Sequence, residues 1–190
     1  TNPDLMILST GGTFARLKEI LGQDADKCLK QVSDYTGQPE TQGGLVKTLD
    51  FKIYLGLLTE TYNDAHQQDL QRTGARTIDM VVVNLYPFSQ TIAAQGTTCE
   101  NARGNIDIGG PTMIRAAAKN FIRVASVVDP EGYPAILEKL AANKGALALA
   151  DRFGLAQKAF EHTAGYDRAI AEYLFAQSAQ DVQSCYKTGE

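Results

Sequence analysis

Cysteine is scarce: Cys28, Cys99 and Cys185 are far apart in the chain, and only two histidines, His66 and His162, accompany them. An odd count without a C-x-x-C pair excludes a disulfide framework, and the missing His or Cys partners exclude a zinc-ligand pattern. Reduced thiols in a cytoplasmic protein are the expectation that remains. Clustered positive charge is missing too. The 18 Lys and Arg are scattered among 22 Asp and Glu, for a formal net charge of -4. No basic stripe suits nucleic acid and no polybasic patch suits a membrane surface, so any charged ligand must be met locally. No apolar run approaches the roughly 18 residues of a membrane span. The start, Thr1-Asn2-Pro3-Asp4, lacks the basic and apolar regions of a secretory signal. Also absent are the G-x-S-x-G elbow, the Walker sequence and the G-x-G-x-x-G fingerprint.

What is there suits one compact domain: 190 residues, 44% of them hydrophobic, can bury a core without staples. Leu5-Met6-Ile7-Leu8 is a short apolar run ending at Ser9-Thr10-Gly11-Gly12-Thr13, after which Phe14, Leu17, Ile20 and Leu21 recur at helical spacing. That pattern predicts strand, glycine turn, helix. A second apolar run, Ile78 to Val83, ends at Asn84-Leu85-Tyr86-Pro87-Phe88, where Pro87 bars continuation of a central strand. A third, Val124 to Val128, stops at Asp129-Pro130 before a helix expected from about Gly132 to Ala142. Apolar strands without alternation, separated by helices, predict an α/β fold: a three-layer α/β/α sandwich on a mainly parallel sheet. Between them, Pro111 to Asn120 reads as a helix with proline at its first position and Ala116-Ala117-Ala118 inside it. From Leu147 the pattern is helical almost to the end, with Ala159, Phe160 and Thr163 on one stripe and Tyr166, Ile170, Tyr173 and Leu174 on the next. Gly165 is expected to break it in two. The stretch Ser33 to Gln71 is the least legible, with Gly37, Pro39, Gly43 and Gly44 implying loops around Val46 to Leu58.

Ligands of open parallel sheets bind beyond the carboxyl ends of the strands, and three polar segments fall there. Ser9, Thr10, Gly11, Gly12 and Thr13 lie between strand and helix, where backbone N–H groups and hydroxyls suit a phosphate. A tight turn that merely needs glycine is the alternative. In Asn105-Ile106-Asp107-Ile108-Gly109-Gly110-Pro111-Thr112 a carboxylate stands beside two glycine N–H groups. Thr112, Arg115 and Lys119 then share one helix face. Asp107 is equally a helix cap, and Lys119 a charge complementing the helix dipole. Tyr86 is equally an aromatic packed at a strand end, Lys47 an exposed lysine, and both histidines surface or structural residues.

Five segments in order carry a resemblance: V-S-D-Y-T-G at 32–37, V-K-T-L at 46–49, V-N-L-Y-P-F at 83–88, N-I-D-I-G-G-P-T at 105–112 and A-A-A-K-N at 116–120. With A-F-E-H-T-A-G-Y-D at 159–167 they cover the chain from about Leu5 to Phe175. Together they resemble the inosine monophosphate (IMP) cyclohydrolase domain of the bifunctional purine-biosynthesis protein. The resemblance implies a methylglyoxal-synthase-like fold, usually dimeric, that converts formylaminoimidazole carboxamide ribonucleotide to IMP and water without metal or redox cofactor. Lys47, Tyr86, Asp107 and Lys119 match the family's active-site lysine, tyrosine, aspartate and second lysine. Ser9, Thr10, Gly11, Gly12 and Thr48 match phosphate contacts, with Thr13 beside them, while Asn84, Gly109 and Gly110 match positions around the base. A purine ribonucleotide monophosphate is the implied substrate, a second copy of the chain and a separate transformylase the implied partners.

The chemistry accounts for these residue types. The substrate's carboxamide nitrogen attacks its own formyl carbon, and the formyl oxygen gathers charge and leaves as water. Lys47 or Lys119 with nearby N–H groups would steady that oxygen. Asp107 would orient or deprotonate the nitrogen, and Lys119 or Tyr86 would help hydroxide depart. The family pattern also has an N-terminal strand with a Ser-x-Ser-Asp-Lys-Thr-Gly phosphate loop and a larger transformylase domain. Neither occurs in this sequence, which is expected to form a single cyclohydrolase-like domain over residues 1–190. The family's Gly-Arg-Val-Lys-Thr-Leu-His-Pro reads here Gly44-Leu45-Val46-Lys47-Thr48-Leu49-Asp50-Phe51, so an arginine is replaced by Leu45 and His-Pro by Asp50-Phe51. Loss of a cation near a phosphate leaves open a nucleotide-binding or regulatory domain of the same fold. Retention of Lys47, Tyr86, Asp107 and Lys119 together favours the enzyme.

Overall fold

A computed structural model of the chain describes residues 5–39, 41, 46–183 and 185. Gly43, Gly44 and Leu45 lie outside the described residues, as do 1–4. The chain divides into two compact units, one of residues 1–78 with 137–147, the other of residues 79–136 with 148–190.

In the first unit the run around Leu5 forms β1 (Ile7–Ser9), and the spacing of Phe14, Leu17 and Leu21 appears in α1 (Gly11–Leu21). A short helix α2 (Ala25–Cys28) leads to β2 (Leu29–Gln31), which pairs parallel with β1 in the register Ile7 to Leu29 and Ser9 to Gln31. A parallel pair requires a crossover, and α1 supplies it. Then follow α3 (Val32–Thr36), α4 (Phe51–Leu58) and α5 (Asp64–Thr73). The described residues of the stretch that was least legible thus include three helices, and α4 and α5 start at side-chain caps. Asp50 accepts the N–H of Lys52 at 2.8 Å, and Asn63 Oδ1 accepts those of Ala65 and His66. Gly74 closes α5 at φ +65°, a conformation that favours glycine. Gly56 is needed for another reason: a Cβ there would stand 2.4 Å from the Arg76 carbonyl oxygen. Val32, Ile53, Leu57 and Leu70 are buried in this unit.

In the second unit β3 (Met80–Val82) pairs parallel with β4 (Ala125–Val127), Val81 opposite Ser126. Between them run α6 (Phe88–Ala93), α7 (Cys99–Gly104) and α8 (Gly109–Lys119). After β4 come α9 (Tyr133–Ala142), whose residues from Leu137 on belong to the first unit, then α10 (Leu149–Phe175) and α11 (Ala179–Gln183). Ile114 and Ala118 of α8, Val128, and Ala156 and Ala159 of α10 form one apolar cluster, with Val83, Leu85 and Phe121 packed on it. All three alanines 116–118 are buried, so they do more than favour a helix: small side chains let α8 approach its neighbours closely. Buried Ser126 is satisfied by the Ile114 carbonyl at 3.3 Å. Arg152 of α10 donates to the carbonyls of Phe121 and Ile122, tying α10 to the turn that ends α8.

Two details differ from the sequence prediction. Gly165 does not break the last long helix; α10 runs through it for 27 residues. A glycine inside a helix costs about 1 kcal/mol against alanine, and packing on both sides offsets that, with Ala156, Ala159 and Thr163 buried before it and Tyr166 hydrogen-bonded after it. Pro111 is the third residue of α8, not the first. The missing N–H costs nothing there either, because the first four N–H groups of a helix lack an intrahelical partner. Among the described residues the strands pair in parallel, as expected, in two two-stranded ladders, one in each unit.

Candidate functional site

The first unit brings Ser9 to Thr13 and Lys47 together. Ser9 ends β1 and is buried, while Thr10 precedes α1 in extended conformation and makes no side-chain cap bond. Gly11 takes φ +51°, which favours glycine. The first intrahelical bond is that of Phe14 N–H to the Thr10 carbonyl, and the first turn holds no acidic residue. The N–H groups of Gly11, Gly12 and Thr13 therefore lack helix partners. A Cβ on Gly11 would stand 3.4 Å from Lys47 Nζ, so the ammonium lies against this turn. Helix N-terminus and full positive charge meet in one place. Thr48 follows, half-buried. Asp50 is buried and its carboxylate is spent on the α4 cap.

In the second unit Asn84 and Tyr86 line a cleft of about 470 Å³. The cleft is lined by residues 84–90, by Val128 and Pro130, and by Glu161, His162, Gly165 and Tyr166 of α10. The Asn84 side-chain Oδ1 accepts from the Tyr133 hydroxyl at 3.2 Å. Asp107 caps α8, its Oδ1 accepting the Gly110 N–H at 2.9 Å. A Cβ on Gly110 would stand 2.6 Å from Asp107 Oδ2 and 2.7 Å from Leu85 Cδ2, so the carboxylate and the Leu85 side chain both flank the bare face of Gly110. Gly109 opens α8 beside it. Thr112, Arg115 and Lys119 share an exposed face, as predicted, and Arg115 lies over the Phe160 ring at 5.5 Å. Lys119 is the last residue of α8, so about 15 Å of helix rise separates it from the Asp107 end.

Tyr166 was not singled out by sequence. It lines the cleft, its hydroxyl accepts the Asp107 N–H at 2.9 Å, and it donates to the Asn105 carbonyl at 3.3 Å. Burial, with Asp107, Asp167 and Tyr86 nearby, pushes its phenol above the usual tyrosine range, so it stays protonated. The signal available was its place in the A-F-E-H-T-A-G-Y-D segment. His162, exposed as expected, also reaches the cleft. His66 is structural: its Nδ1 accepts the Glu60 N–H at 3.2 Å. Among the described residues no three His, Cys, Asp or Glu gather where they could hold a metal ion, and no helix is long and apolar enough to cross a membrane.

The family model for the MGS-like domain matches residues 2–112. The chain belongs to this family. A second model, the AICARFT/IMPCHase bienzyme, matches residues 117–189. The bifunctional purine biosynthesis protein PurH of Prochlorococcus marinus (strain MIT 9211) is 50% identical over 171 residues, 90% of this chain and 32% of that protein. PurH of Neisseria gonorrhoeae (strain NCCP11945) is 48% identical over 184 residues, 97% of this chain and 34% of that protein. The chain thus spans about a third of the length of the curated relatives it matches. Among solved structures, ForH superposes with a TM-score of 0.73 at 31% identity, covering 90% of this chain and 85% of ForH. The α/β class read from the sequence is that of the MGS-like fold.

Proposed function

We propose that this chain is an IMP cyclohydrolase, closing the ring of 5-formamidoimidazole-4-carboxamide ribonucleotide to IMP and water. The observation that supports it most is that Asp107, held at the start of α8, donates its N–H to the hydroxyl of Tyr166, which lines the cleft with Asn84 and Tyr86. The reaction needs a group to orient or deprotonate an amide nitrogen and a donor for a departing oxygen. Asp107 takes the first role and Tyr86 the second. The base is met by Asn84, Gly109 and Gly110. Because α8 holds Lys119 at its far end, Asp107 and Lys119 work on separate atoms of the ligand. In the first unit, Lys47 beside the α1 N-terminus is suited to an anion, and Ser9, Thr10, Gly11, Gly12, Thr13 and Thr48 are assigned to the nucleotide phosphate. Holding two groups of one molecule in register supplies several kcal/mol of the barrier reduction, on the order of that for oriented reactants. A homodimer, a cytoplasmic location, the absence of a cofactor and a partner transformylase that delivers the formylated substrate belong to the same proposal.

One observation favours a second function, a nucleotide-binding or regulatory domain: Asp50 stands where the family has histidine and is committed to a helix cap. One experiment separates the two. The purified protein is mixed with the formylated ribonucleotide, without metal, folate or nucleoside triphosphate, and IMP is followed by chromatography. Cyclisation well above the enzyme-free rate is expected. A rate equal to that control, with the nucleotide still bound, would establish the regulatory role.

A further inference from the structure

We propose that Tyr166 is a positioning residue of the cyclohydrolase site, holding the Asn105–Asp107 backbone so that the Asp107 carboxylate stays on the α8 cap. The inference rests on the function proposed above, and its structural half stands apart from it. Residues 105–107 form no regular structure, so their backbone polar groups need partners from elsewhere. One hydroxyl serves two of them. It accepts the Asp107 N–H at 2.9 Å and donates to the Asn105 carbonyl at 3.3 Å, bridging the loop from a helix some 60 residues further along the chain. The residue held at its backbone by Tyr166 is the one whose Oδ1 takes the Gly110 N–H, so the two bonds together fix Asp107 at both ends. Tyr166 itself is fixed by α10 and by Phe88, which meets its ring edge-on at 6.2 Å between centroids.

The same hydroxyl cannot act as the acid of the reaction while it makes these two bonds, since its one proton is given to Asn105 and its oxygen is occupied by Asp107. Tyr166 therefore acts through Asp107. Tyr173 supplies the control. It lies on the same helix, and its ring also meets Phe88 edge-on, at 5.9 Å, yet no hydrogen bond joins its hydroxyl to the 105–107 loop.

The test uses the full chain with Tyr166→Phe and Tyr173→Phe. Each substitution removes one hydroxyl and keeps the ring against Phe88. Tyr166→Phe is expected to lower kcat about 10-fold, with KM within about twofold, because a misplaced reacting group costs turnover more than binding. Hydrogen exchange of the Asp107 amide, read by NMR without substrate, should speed up about 10-fold or more once its acceptor is gone. Tyr173→Phe should change neither. Unchanged Asp107 exchange, or a kcat within twofold of wild type, would overturn the proposal. So would equal losses in both variants, which would mark a general effect on α10. If the wild-type protein does not cyclise the substrate, the function proposed above fails, while faster Asp107 exchange in Tyr166→Phe alone would still establish the positioning bond.

Discussion

Replacing Gly110 by alanine puts a single methyl group beside both the Asp107 carboxylate and the Leu85 side chain. The added Cβ would stand 2.6 Å from Asp107 Oδ2, 3.0 Å from Asp107 Cγ and 2.7 Å from Leu85 Cδ2. Such approaches force a neighbour to move, and overpacking of this kind costs about 1–3 kcal/mol. Gly110 lies inside α8 without a positive φ, so alanine returns about 1 kcal/mol of helix propensity. The net loss of stability should be small, about 0–2 kcal/mol. Turnover should suffer far more. The least costly relief is for the carboxylate to swing off the Gly110 N–H, and a reacting group displaced by about 1 Å can cost up to about 100-fold. Single-turnover formation of IMP, with thermal melting alongside, measures both quantities. Gly104→Ala, where the added Cβ meets nothing within 4 Å, is the control. A Gly110→Ala enzyme that turns over within twofold of wild type and melts normally would show that Asp107 need not be held there.

Two other substitutions separate stability from binding. Gly165→Ala should stabilise the protein by about 0.5–1 kcal/mol, because α10 is helical through this position and the added Cβ meets nothing within 4 Å; an unchanged or lower melting temperature would count against a continuous α10. Lys47→Ala should weaken IMP binding in calorimetric titration roughly 10-fold at low salt and less at high salt, since the lost interaction is charge with phosphate; equal affinities at both salts would remove Lys47 from the anion site. At Asp107 the pair of substitutions to Asn and Ala should differ in stability and agree in turnover. Asn keeps an oxygen for the Gly110 N–H, whereas Ala loses a cap worth about 0.5–2 kcal/mol, and thermal melting with the IMP assay reads both.

The strands and long helices were legible because their apolar residues obey simple periods. The run at 78–83 contains β3 and ends one residue beyond it, and the spacing in 111–120 gives the exposed face of Thr112, Arg115 and Lys119. Short elements were not. β2 is three residues of mixed polarity, Leu29-Lys30-Gln31, that form a strand through pairing with β1. No composition change marks the boundary between Ile78 and Asp79, where one unit gives way to the other inside a single apolar run. Gly165 misled because propensity is local, whereas the packing that carries α10 through it comes from the rest of the unit. Among the candidate residues, Asp107 and Gly110 of the second unit could be named from a motif, and Lys47 of the first from the V-K-T-L segment. That the Lys47 ammonium rests against Gly11 depends on the path of the chain, and so does the reach of Tyr166 to a loop 59 residues away. Spacing in the sequence is silent about such meetings.

Asp107 was open to two interpretations, helix cap or reacting carboxylate; the structure shows the cap, and the geometry leaves room for the second role under the proposed function. An ionised carboxylate offers two oxygens and about four acceptor positions. The cap uses one, at Oδ1. Oδ2 faces the side on which Gly110 has no side chain, and the glycine there is what leaves room for it. The cap bond also fixes which oxygen stays available, so the group needs no reorganisation when a substrate nitrogen arrives. Under the proposed function, the rotamer that caps α8 is therefore also the one that would offer Oδ2 to the substrate nitrogen.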